Sequence, residues 1–154
     1  MPISTILAAL VDLLVASVLL VGLMAWYDRW PSLIALAVVP AMTLVLIATA
    51  LGVGLWLAAL NVGYRDIQYV VPFVTQIWFF ATVVYPVSLL DGAWHTVVGL
   101  NPLAGVIEGF RWSLIGTQHG PGWMMAVSAG VAVLLLVSGA LYFRRVERSF
   151  ADVI

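Results

Sequence analysis

The chain has 154 residues, of which 64% are hydrophobic and 8% charged, with a formal net charge of −1 and a mean hydropathy of +1.15. A soluble domain carries about 25% charged residues, and this chain has too few to coat a water-soluble fold. The basic residues are all arginine and form no basic patch interleaved with aromatics, which sets aside a nucleic-acid partner, while the lack of cysteine excludes disulfides, thiolate catalysis and cysteine-ligated metal.

Four stretches are long and apolar enough to cross a bilayer as helices, which takes about 20 residues each. The first, residues 3–26, contains one acid, Asp12. It lacks a positive leading region, and its apolar run is too long for a signal peptide. Intramembrane acids are rare and often functional, so Asp12 reads either as a structural polar contact or as part of a lumen or gate. The second stretch, residues 33–60, carries no charge at all. A short polar connection follows, with Asn61, Gly63, Tyr64, Arg65 and Asp66. It is either an unremarkable solvated loop or a docking element for a partner.

The third stretch, residues 70–90, is uncharged, includes Pro72 and Pro86, and crowds Trp78, Phe79, Phe80 and Tyr85 together. Such aromatics usually pack against lipid or other helices; their functional reading is a stacking surface for sugar rings. Residues 97–115 are also apolar but are interrupted by Gly99, Pro102, Gly105 and Gly109, and they carry Glu108 and Arg111. That segment fits a re-entrant or interfacial helical hairpin, because irregular backbone at membrane depth must be buried in protein or line a cavity. Glu108 and Arg111 are three apart, share a helical face and can neutralise each other. Residues 116–122 read as a turn, residues 123–143 as the last span, and residues 144–154 as a tail holding Arg144, Arg145 and Arg148. None of these runs alternates with period two, as a barrel strand would.

The expected fold is therefore all-α, a single polytopic membrane domain over residues 1–154. It has four transmembrane helices and a re-entrant or interfacial hairpin between the third and fourth. Arginine placement orients it. Arg65, Arg144, Arg145 and Arg148 outweigh Arg29 and Arg111, which puts both termini in the cytoplasm. Tyr27, Trp30, Trp94 and Trp123 then fall near the outer interface. Without lysine there is no Walker A loop, and no HExxH, GxSxG or EF-hand pattern occurs. His95 and His119 are isolated and read as solvated loop residues rather than as a metal pair. An enzyme reading, an intramembrane hydrolase or transferase using Glu108, Arg111 or Asp12, has no accompanying nucleophile or metal set.

Three blocks carry a family resemblance. LNVGYRDIQYVVPFVTQIWFFATVVYPVSLL, NPLAGVIEGFRWSLIG and LYFRRVERSFADVI occur here in that order. Together they resemble type-2 ABC transporter permeases that export O-antigen, teichoic-acid and capsule-type polysaccharides. Family permeases have six spans after an amphipathic amino-terminal helix, and this chain matches only the last four. The resemblance thus implies a carboxy-terminal portion of such a permease, with Met1 and Pro2 near the exit of the main coupling helix. It implies a homodimeric transport subunit in the bacterial inner membrane, among membrane lipids, that is not itself an enzyme. No cofactor would sit in this chain, and ATP and magnesium would bind a separate nucleotide-binding ATPase subunit. The cargo would be lipid-linked polysaccharide. By the same resemblance, Asn61, Tyr64, Arg65 and Asp66 would contact the ATPase. Trp78, Phe79, Phe80 and Tyr85 would line the channel, and Asn101, Pro102, Glu108 and Arg111 would belong to the outer gate. A drug- or lipid-exporting permease of the same type, or a structural membrane subunit, are the competing readings.

Overall fold

The computed structural model describes residues 2–28, 30–83, 93–116, 120 and 122–151. These residues form six α-helices and no strand: α1 (Pro2–Trp26), α2 (Ala35–Gly63), α3 (Ile67–Val83), α4 (Ala93–Gly99), α5 (Pro102–Ile115) and α6 (Trp123–Ala151). Three of them hold segments long and apolar enough to cross a membrane: Leu7–Trp26, Ala35–Gly63 and Trp123–Glu147. In a bilayer a helix satisfies its own backbone groups where no water can. The stretch expected as the third span is helical only to Val83 among the described residues. Tyr85, Pro86 and the rest of that stretch lie outside them, as do His119 and most of the turn before α6. The segment expected as a hairpin is the pair α4 and α5.

The core is the packing of α2 on α6. These two helices run parallel. Gly52 meets the backbone of Leu135 and Leu136, while Trp56, one turn further on, meets Ser138 and Tyr142. α5 runs antiparallel to the first half of α2. Leu103, Val106 and Ile107 share a cleft with Leu46, Thr49, Ala50 and Val53; Gly109 stands against Met42; and Ser113 O accepts from Ser32 Oγ at 2.9 Å.

Apolar tails are as oily as leucine, so burial alone does not drive membrane helices together; close approach of small residues does. Most of the buried positions follow that rule: Ala35, Thr49, Gly52 and Ala59 on α2, Ala104, Gly105, Gly109 and Ser113 on α5, Ser128 and Ala132 on α6, with Met42, Val106 and Met124 as the larger apolar side chains among them. A Cβ on Gly52 would lie 2.6 Å from Leu135 C, and one on Gly139 would lie 2.7 Å from Gly52 O. Gly105 does the same for the α5–α6 crossing, where a Cβ would collide with Ser128 Oγ and lie 2.6 Å from Met124 O. Ser128 is fully buried there, and among the described residues its hydroxyl has no hydrogen-bond partner.

α1 differs from this core. It packs mainly and sparsely against α2, and no residue of Leu7–Trp26 is buried within the chain. Trp26, Tyr27 and Trp30 at its far end are exposed, and Asp28 turns the chain with φ 53°.

Candidate functional site

α2, α3 and α5 enclose a cleft of about 470 Å³. Its walls are Leu46, Thr49, Ala50, Val53, Gly54 and Leu57 from α2; Thr75, Trp78, Phe79 and Thr82 from α3; and Leu103, Val106 and Ile107 from α5. Among the described residues no charged side chain lines it. The threonine hydroxyls are turned onto their own helices: Thr49 Oγ1 donates to Val45 O at 2.8 Å, Thr75 to Val71 O at 2.9 Å and Thr82 to Trp78 O at 2.7 Å. The cleft thus offers apolar side chains and ring faces rather than charges.

One residue fixes its geometry. Asn101 is the N-cap of α5: its Oδ1 accepts from Leu103 N–H at 3.1 Å, and Pro102 follows at the first helical position. An N-cap side chain supplies a partner to an amide that the first turn leaves unpaired, and proline at that position loses no hydrogen bond. The same Oδ1 accepts from Trp78 Nε1 at 3.1 Å, and Nδ2 donates to Thr82 Oγ1 at 2.7 Å. One half-buried amide therefore starts α5 and ties it to α3 on two neighbouring turns. The other end of α5 stops at Gly116, whose φ of 74° is the left-handed conformation that glycine adopts without strain and whose N–H donates to Trp112 O at 3.1 Å.

The other expected site residues are placed as follows. Phe79 lines the cleft and meets Phe80 edge to face, with centroids 5.8 Å apart, but Phe80 is not part of the lining. Asn61, in the last turn of α2, and Tyr64, Arg65 and Asp66, between α2 and α3, are exposed at one corner, where Tyr64 N–H closes α2 on Leu60 O at 2.8 Å. Glu108 and Arg111 pair on α5 at 2.9 Å, with side chains 11% and 27% exposed, and neither lines the cleft. Asp12 lines a separate, almost wholly apolar groove of about 390 Å³ between α1 and α2. His95 falls on α4. Among the described residues no group of three or more His, Cys, Asp or Glu could hold a metal ion.

Asn101 and Trp78, expected in separate regions, bond to each other. The Asn-Pro pair was the available signal, since it marks a helix start. Thr82, Ser128 and the Trp56–Ser138 bond went unread, because each depends on which helix stands opposite.

A bundle of bilayer-length helices that holds an uncharged, ring-bearing cleft defines a multi-pass membrane protein. Residues 1–115 match the family described as ABC-2 type transporter, well over half of the chain, and the chain belongs to that family. It is 27% identical over 155 residues to the O-antigen export system permease protein RfbA of Myxococcus xanthus, covering 99% of this chain and 59% of that relative. The chain thus spans about three-fifths of the length of that curated relative. No solved structure matches it.

Proposed function

We propose that this chain is the membrane permease part of an ATP-driven ABC exporter of lipid-linked cell-surface polysaccharide. The observation that carries the reading is the likeness, along almost the whole chain, to a relative whose name is O-antigen export permease. The proposal includes a partner ATPase subunit that binds ATP and magnesium, a second copy of the permease, and residence in the bacterial inner membrane with both termini cytoplasmic.

The packing supports a four-span topology in one membrane domain. α2 and α6 run parallel, so the chain between them must return across the bilayer, and α3 starts that return. The α4–α5 pair fits a re-entrant hairpin. Asn101 bonds to Thr82, which shares the cleft with Thr49, midway along α2, whereas Ser113 meets Ser32 ahead of α2. In this reading the Asn61–Asp66 corner touches the ATPase. Trp78, Phe79, Phe80 and Tyr85 belong to the polymer path, and Asn101, Pro102, Glu108 and Arg111 to the outer gate. A polymer must be held weakly and repeatedly so that it can advance, and ring faces without charges suit that. ATP binding shifts the permease only through contacts that differ between two conformations, and the Asn101 tie lets α3 and α5 move as one.

A second reading, a permease for lipids or hydrophobic drugs, draws on the apolar lining of the same cleft. Co-expression with the partner ATPase separates the two. Phe79→Ala is expected to reduce surface polysaccharide severalfold while leaving membrane insertion intact. Unchanged polysaccharide with altered export of a fluorescent lipid would move the assignment to the second reading.

A further inference from the structure

At the end of the bundle away from the Ser32–Ser113 contact, α2 and α6 border another cavity, of about 630 Å³, lined by Trp56, Ser138, Leu141, Tyr142, Arg144 and Arg145. Its floor is held rigidly. The rings of Trp56 and Tyr142 stack with centroids 4.7 Å apart and planes 18° apart, and Trp56 Nε1 donates to Ser138 Oγ at 3.1 Å. Both arginines are exposed, and neither is ion-paired among the described residues; Glu147, on the next turn of α6, pairs with neither. Three features thus meet in one place: two exposed guanidiniums, an aromatic stack and an apolar wall at Leu141.

The depth of the cavity identifies what it would meet. Trp56 lies seven residues before the end of α2, about 10 Å along the axis at 1.5 Å per residue. The arginines stand directly after the apolar part of α6. That is the level where aromatic belts and lipid headgroups sit. Guanidinium presents forked donors that match phosphate oxygens two at a time. A bare arginine at a helix end attracts any anion, whereas a walled cavity with a fixed aromatic floor can retain a particular molecule.

We propose that this cavity binds the phosphate of a lipid headgroup that carries net negative charge. Arg144 and Arg145 hold the phosphate oxygens, the Trp56–Tyr142 stack bounds the headgroup, and Leu141 meets the first methylenes of the chain. The proposal does not depend on the transport reading. Two sources share this chemistry, a resident anionic phospholipid and a lipid-linked diphosphate, and the test separates them.

The whole chain, purified in detergent, is titrated with phosphatidylglycerol, a polyprenyl diphosphate or phosphatidylcholine, and retained lipid is counted by native mass spectrometry. The unaltered chain is expected to retain phosphatidylglycerol or the diphosphate about tenfold more readily than phosphatidylcholine, the preference that one net hydrogen bond to a charged group gives. Preference for phosphatidylglycerol identifies a resident lipid, and preference for the diphosphate identifies a carrier. R144Q/R145Q is expected to abolish either preference, and R144K/R145K, which keeps the charge but not the fork, to weaken it. Trp56→Leu with Ser138→Ala keeps both charges and is expected to lower retention severalfold. Undiminished retention in R144Q/R145Q overturns the proposal. So does undiminished retention in the Trp56/Ser138 variant, which carries the test alone if R144Q/R145Q does not fold. Equal retention of phosphatidylcholine by the unaltered chain overturns it as well.

Discussion

α1 and α6 are both apolar helices of membrane-crossing length, yet only one of them holds the protein together. The spanning window of α1 has a mean hydropathy of 2.6 and contains no buried residue; that of α6 has 2.3, and 22% of its residues are buried. The more hydrophobic helix is therefore the less packed. The difference lies in what faces the small residues. Ser128, Ala132 and Gly139 recur at helical spacing along α6, and each is buried. Gly105 fits against Ser128, and Gly52 against Gly139. α1 also has small residues, but Gly22 has nothing within 4 Å of where a Cβ would stand. Hydropathy puts a helix in the bilayer; opposed small residues decide which helices it keeps.

Filling one glycine that faces α6 and one on α1 separates the two cases most directly. Gly52→Leu would drive a side chain into the backbone of α6, and it is expected to cost on the order of 3 kcal/mol or more, since neither backbone can yield without separating the helices. Gly22→Leu, facing open space, is expected to change stability by no more than about 0.5 kcal/mol. Denaturant titration in detergent micelles, followed by tryptophan fluorescence, measures both. Similar losses in the two variants would mean that α1 packs as tightly as α6.

Asn101 sharpens the comparison from the side of the cleft. Asn101→Ala removes the cap of α5, the acceptor for Trp78 and the donor to Thr82 together, and is expected to cost about 2–3 kcal/mol. Trp78→Phe removes one of those bonds and keeps most of the ring, with an expected cost of about 1 kcal/mol. If the two variants lose the same amount, the cap and the Thr82 bond contribute little and α5 is held by its glycines alone.

How much of this was legible in the sequence follows from the same physics. Apolar length set the bounds of α1 and α2 and the start of α6 to within a few residues, because the bilayer imposes it, whereas α6 runs on to Ala151 through the segment expected as a tail. The break at Gly99 and Asn101-Pro102 was legible for the same reason: it interrupts an apolar run with residues that end and start helices. The Glu108–Arg111 pair was legible because it lies within one turn. The parallel course of α2 and α6 was not. It depends on Gly52 meeting Leu135 and on Trp56 meeting Ser138 and Tyr142, and such pairs leave no local signal. Nor was the cleft, since Trp78 and Phe79 read alike along the chain, and only the position of Asn101 makes Trp78 an anchor and leaves Phe79 as a wall.

Glu108 and Arg111 give a smaller effect. Glu108→Gln leaves a partly buried guanidinium short of its carboxylate and is expected to cost about 1–2 kcal/mol, whereas the double change with Arg111→Met recovers part of that, as removing both members of a buried pair does. A double variant less stable than Glu108→Gln would show Arg111 acting through some other group.

The smallest expected effect on folding is at Arg65, and there the outcome divides the molecule in another way. Arg65 and its neighbours Tyr64 and Asp66 are exposed at the corner between α2 and α3. Arg65→Ala therefore takes away no packing and is expected to shift stability by less than about 0.5 kcal/mol. A contact with a partner ATPase would be a rim-type charge pair, worth about 0.2–1 kcal/mol, so association should weaken up to about fivefold and more steeply at low salt. Affinity measured against salt concentration decides it. A weaker complex whose salt dependence is reduced assigns the corner to the interface. Unchanged affinity with unchanged stability leaves it a solvated turn whose work ends with reversing the chain. The comparison with Gly52 makes the result interpretable: one residue is buried and holds two helices, the other is exposed and holds none, so a loss of association at Arg65 cannot be a loss of fold.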